Sequence, residues 1–295
     1  MNHIPAHDNP IYWQEKNRLA RSRPIQRLFR WVYIIYGVVF IFIVIWAIVD
    51  GISYRNEDEF IDWLVFWYVL APNTLFAVSI GQAASALFFV PTLTAGAIAT
   101  ESKQNSLELL FLTPLQSKQI IFGKARATLP LALKLVFFLA PIAFALLPIS
   151  RVLNTHPFPI GRVFSPWEPG FWWEGLILIL IPQFIGLSIT FFSAFLTLYL
   201  STYFEEVTLV IVTTYGTLLA IGVSSALISL LFDNTNAYFL SPIPSFLYMF
   251  YDRSDFNSTL QAVLCALLYG TLSYVLYHLT IQRMQQLAGR LPHKN

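Results

Sequence analysis

Apolar runs at about 31–53, 63–99, 127–149, 172–202, 207–232 and 259–282 are each long enough to cross a lipid bilayer. A helix rises 1.5 Å per residue, so about 20 residues cover a hydrocarbon layer of about 30 Å. Within lipid, every backbone N–H and C=O must find its partner inside the segment, which makes these runs helices. Charged residues make up only 12% of the chain, against about 25% in a soluble domain. One all-α integral membrane domain with six transmembrane helices is therefore expected over 31–282, rather than two soluble domains. The second run exceeds what one straight helix needs, and Pro72 is expected to kink or split it, leaving 60–71 near the outer surface. In the fifth run, Gly216, Ala220, Gly222, Ser225 and Ala226 permit close helix contact.

The distribution of cations sets an expected orientation. Segments 1–30, 99–126, 203–206 and 283–295 hold 13 Lys and Arg residues, against 4 in 50–62, 150–174 and 233–258. By the positive-inside rule both termini and the 99–126 segment lie in the cytoplasm. The acidic residues Asp50, Glu57, Asp58, Glu59 and Asp62 then face outward. The expected location is a multi-pass protein of the cell membrane, with 1–30 a cytoplasmic amphipathic segment and 283–295 a cytoplasmic tail. The first thirty residues are polar and basic, which does not read as a signal peptide.

Asn9-Pro10 is a helix start, with Asn as cap and Pro at the first helical position. The helix that follows is interrupted at Pro24 and interleaves basic with apolar residues. That suits a helix lying among lipid headgroups, although the cations also serve simply to flank the first span. Across the chain, four prolines and three tryptophans in 150–174 suit an outer interfacial loop. Residues 238–251, with Pro242 and Pro244, read either as a re-entrant hairpin or as a loop on the lipid surface.

The longest polar interruption between spans is Ala99 to Arg126, which carries Lys103, Lys118, Lys124 and Arg126. It holds a short amphipathic helix. Ser102, Asn105 or Ser106 is placed to cap its start and Pro114 to end it. Leu107, Leu110 and Phe111 fall on one face, with Glu108 turned away. Such a helix either lies on the inner leaflet or presses against a partner. Glu101, Glu108 and Lys124 are available to pair with charges on that partner or among themselves.

This segment resembles the cytoplasmic coupling segment of ABC-2 type permeases, the membrane subunits of ATP-binding-cassette exporters. The resemblance rests on Glu101, on Leu107-Glu108-Leu109-Leu110, on Thr113-Pro114 and on Gly123-Lys124, in that order and spacing. Asn105-Ser106 stands where the family usually has Gly-Thr. The opening from Asn9 to Glu15, followed by Arg18 and Arg21, is also similar to the amphipathic start of such permeases. The resemblance implies that the short helix docks in a groove of a separate ATPase subunit and passes its closure to the spans. It assigns ATPase coupling to Glu101, Ser106, Leu107, Glu108, Leu110, Phe111, Thr113, Pro114, Gly123 and Lys124. It further implies a second permease subunit, identical or homologous, with the transport path between the two, and makes 238–251 a re-entrant element near the outer exit.

No phosphate-binding loop of the form GxxxxGK[ST] is present, so ATP hydrolysis is expected in another chain and no enzymatic activity or cofactor in this one. HExxH and GxSxG motifs are absent as well, and the five histidines are scattered. Cys265, alone in an apolar run, reads as a buried small residue. No metal site or nucleic-acid partner is implied. Lys134 is the one charge inside an expected span, either functional or snorkelling to the boundary. A secondary transporter coupled to ions or protons would need acidic groups near the bilayer midplane, which the spans lack.

Overall fold

In a computed structural model, the described residues are 9–22, individual helical positions between 26 and 49, 81–137 apart from 105 and 114, 169–231 and 256–289. Among them there is no strand. Pro72, most of the 150–174 loop, the 238–251 segment and the end of the tail lie outside the described residues.

Helix α1 spans Pro10–Arg21. Helix α2 spans Gly81–Lys103, and a short α3 covers Ser106–Phe111. Helix α4 spans Ser117–Val136, α5 Pro169–Leu200, α6 Val207–Leu231 and α7 Phe256–Gly289. Among the described residues, four stretches are long and apolar enough to cross a membrane: Gly81–Lys103, Leu180–Leu200, Val207–Ser225 and Leu260–Gly289. The described residues are thus those of a helical membrane protein. Helix α4 begins at Ser117, ten residues before the expected start of the third span. The segment from Ser117 to Arg126 is helical, so Gly123 sits in a helix interior rather than in a turn.

Helices α5 and α7 form the most extensive pair, and α4 lies against both. Their shared core with α2 contains Ala86, Val90, Ala132, Ile185, Ile189, Phe192 and Tyr269. Because lipid is as apolar as leucine, packing and polar links rather than hydrophobicity hold such helices together. Gln82 and Gln183 join α2 to α5 through their side-chain amides, at 3.0 Å from Gln82 Nε2 to Gln183 Oε1. The Ser193 hydroxyl donates to the Ala86 carbonyl at 2.9 Å, and the Tyr215 hydroxyl of α6 donates to the carbonyl of Phe88.

Helix α6 packs with one stripe only. Val210, Thr214 and Ser225 are buried, and Val207, Ile211, Leu218 and Ile221 lean on the neighbouring helices. The opposite stripe exposes Val212, Leu219, Val223 and Leu227 together with Gly216, Ala220 and Ser224. A β-carbon added at Gly216 or Gly222 would meet no atom within 4 Å.

Candidate functional site

At one end of the bundle, the last two turns of α2 meet α3, the start of α4 and helix α1. Lys124 reaches inward from α4 and is fully buried. Its Nζ lies 2.7 Å from Glu101 Oε1 and also donates to the carbonyl of Ala97. An isolated ammonium in such a place would be prohibitively desolvated, so the carboxylate and carbonyl are what make Lys124 tolerable there. Glu101 is itself largely buried, and its second oxygen has no hydrogen-bond partner among the described residues. The cation of the Gly-Lys pair and the leading glutamate, 23 positions apart, therefore form one internal ion pair across α2 and α4.

Helix α1 explains the glycine that precedes Lys124. A β-carbon there would lie 3.0 Å from Asn9 Nδ2, so glycine opens the seat that the Asn9 side chain occupies. From that seat Asn9 Nδ2 donates to the Gln119 carbonyl at 3.0 Å, while its Oδ1 accepts the Ile11 N–H at 3.0 Å. One amide thus caps α1 and fastens it to α4. The expected Asn9-Pro10 start is observed, and the buried face of α1 is Ile11, Glu15 and Leu19. Glu15 accepts from Arg18 Nε at 2.9 Å, and the Arg18 guanidinium in turn lies over Gly96 of α2. Helix α1 is therefore clamped to both α2 and α4 through two glycines. Gly123→Val is expected to expel Asn9 and loosen α1 by about 1–2 kcal/mol, the usual cost of a lost helix cap. Faster limited proteolysis within 1–22 checks it.

Helix α3 departs from expectation in an instructive way. Leu107, Leu110 and Phe111 do share a face, but that face packs on the chain's own cluster of Ile98, Ile120, Ile121 and Leu198. A helix of six residues is far too short to be stable alone, so it takes the nearest apolar surface, which is internal. The side chains left outward are Leu109 and Leu112, 65% and 80% exposed. Ser106 donates its hydroxyl to the Glu101 carbonyl at 3.1 Å, tying α3 back to α2, whereas it was expected to cap by accepting from the backbone. Ser102 lies inside α2, and Asn105 falls outside the described residues. At the other end both the N–H and the hydroxyl of Thr113 donate to the Leu110 carbonyl, the latter at 2.6 Å, and this closes the helix. Pro114 and the side chain of Glu108 lie outside the described residues.

The same end of the bundle carries the turn between α5 and α6. Lys103 approaches Glu206 at 3.8 Å, both largely exposed, so this pair contributes little. Ala95, Ala99 and Val210, packed with Phe204 and Val207, make the firmer link. Arg283 near the end of α7 stacks over the Tyr203 ring at 4.5 Å. Sequence reasoning missed the seats at Gly96 and Gly123 and the outward pair Leu109 and Leu112. Only the i, i+3 spacing of that pair offered a signal. Lys134 is exposed on α4, as a snorkelling residue would be.

No protein-family model matches this chain, and no curated protein matches it.

Proposed function

We propose that this chain is the permease subunit of an ABC-2 type transporter, an exporter whose ATP hydrolysis takes place on a separate nucleotide-binding subunit. What carries the reading is the way the ordered motif residues assemble. Glu101 and Lys124 join α2 to α4, Ser106 ties α3 back to α2, Thr113 closes α3, and Gly123 opens the seat that fastens α1 to α4. A segment that receives force must be rigid within itself and tied to the spans, and these contacts supply both. Force applied to α3 would pass through Glu101–Lys124 into α2 and α4, and through Ala95 and Val210 into α6. The outward Leu109 and Leu112 offer the apolar contact for the ATPase groove. Six spans, cytoplasmic termini and the re-entrant 238–251 segment belong to this reading.

A second permease subunit fits the stripe of α6 that no described residue covers. Gly216, Ala220 and Ser224 recur every fourth residue on its exposed face, the spacing that lets two helix backbones approach closely in lipid. Gly216→Ile combined with Ala220→Ile is expected to shift the detergent-solubilised permease from dimer to monomer, measured by light scattering. Unchanged mass would remove α6 from the subunit interface.

Purification of the full chain from its native membrane tests the main reading. An ATP-binding-cassette subunit and ATP hydrolysis are expected to come with it. Gradient-driven transport by the chain alone in proteoliposomes would replace this reading with an ion- or proton-coupled transporter.

A further inference from the structure

A cavity of about 510 Å³ opens between α1, the helical positions that follow it, and the exposed face of α4. Four cations line it: Lys16, Arg30, Arg126 and Lys134. Among the described residues no carboxylate lines it, and none of the four has an acidic partner. Aromatic faces hold two of them instead. Lys16 Nζ lies 4.7 Å from the centre of the Trp13 ring and 5.5 Å from that of Tyr12, and the Arg126 guanidinium lies 5.6 Å from the Tyr12 ring. Ring contacts fix the cations without neutralising them. Like charges brought together in this way repel one another until an anion joins them.

Apart from Tyr12 and Gln26, the rest of the described lining is apolar, from Leu19, Ala20, Ala127, Pro130 and Leu131. Depth follows from the neighbours of α4. Lys124 is level with Glu101, near the end of the apolar α2, while Ala132 and Val136 pack in the core with Ala83 and Val90. Lys134 is ten residues, or about 15 Å, further into the apolar layer than Lys124. Its ammonium has no acidic partner among the described residues, and the direction that relieves it leads back toward Arg126 and Lys16. The cavity therefore has a cationic mouth at the membrane boundary and an apolar wall along α4.

We propose that this cavity binds the phosphate headgroup of an anionic phospholipid, with Lys16, Arg126 and Lys134 around the phosphate and Leu131 and Pro130 against the acyl chain. Arg30 closes the mouth from the helical stretch that follows α1. The bound lipid bridges α1 to α4 on the same side of the two helices as the Asn9 seat, further along both, and it completes the neutralisation of Lys134. This assignment is independent of what the protein transports.

The experiment is a titration of the full chain in neutral detergent, with thermal unfolding followed by tryptophan fluorescence. Phosphatidylglycerol is expected to raise the melting temperature saturably, and phosphatidylcholine to leave it unchanged. Lys16→Gln and Lys134→Gln should each weaken the apparent affinity about fivefold, the effect of losing one cation beside an anionic headgroup. Lys134→Arg should keep it, and so should Lys118→Gln, an exposed cation outside the cavity. The melting temperature without lipid checks that each variant is folded. Equal responses to the two lipids, or wild-type titration by both glutamine variants, overturn the proposal. Inorganic phosphate alone reproducing the whole shift overturns the lipid assignment and leaves a free-anion site.

Discussion

Glu101→Gln is expected to cost the folded protein about 3–5 kcal/mol, the range for removing one partner of a buried ion pair. The substitution is nearly isosteric, so packing is preserved and only the countercharge is lost. Lys124, fully buried, would be left with the Ala97 carbonyl as its named polar contact. Detergent-induced unfolding monitored by circular dichroism measures the loss. Lys124→Met should be destabilising for the mirror reason, since it strands the Glu101 carboxylate. The double variant Glu101→Gln, Lys124→Met removes both charges and should recover most of the stability of either single change. A double variant as unstable as the sum of the singles would show that the pair is not the source of the effect.

Leu109→Asp together with Leu112→Asp is expected to abolish partner-stimulated ATP hydrolysis and transport while leaving insertion and melting temperature as in wild type. Both side chains point outward, and substitutions at such positions usually change stability by no more than about 0.5 kcal/mol. Loss of an apolar anchor at a docking surface, by contrast, costs about 2 kcal/mol or more of binding, roughly thirtyfold in affinity. Leu107→Asp and Leu110→Asp should behave in the opposite manner. They place a carboxylate against Ile98 and Ile120, so they lower stability first and activity as a consequence. Normal coupling in the Leu109, Leu112 double variant would sink the docking role of α3.

The contrast between those two pairs shows what the sequence disclosed and what it did not. Hydropathy runs located α6 and α7 closely, because a membrane span is a local property of composition. The start of α1 was legible for a similar reason, since Asn9 and Pro10 encode a cap within three residues. The start of α4 was not, because Lys118, Lys124 and Arg126 lower its mean hydropathy while leaving its helical geometry intact. Polarity there marks an internal ion pair and a cationic cavity, not a loop. The periodicity of 107–111 identified the apolar face of α3 correctly but could not say which body would cover it. That choice depends on contacts with Leu198 and Ile121, which no local pattern contains.

The Asn9 seat also sets an order of assembly. The amide that caps α1 binds a carbonyl 110 positions later in the chain. At synthesis rates of about 5–20 residues per second, Asn9 exists for about 5–20 s before Gln119 does. During that interval α1, with Ile11 and Leu19 uncovered, has no seat on α4 and must rest against another apolar surface. Closure of the clamp therefore has to wait until the start of α4 has been made. Helix α1 thus waits for a helix made 110 positions after its own cap before it is fixed in place.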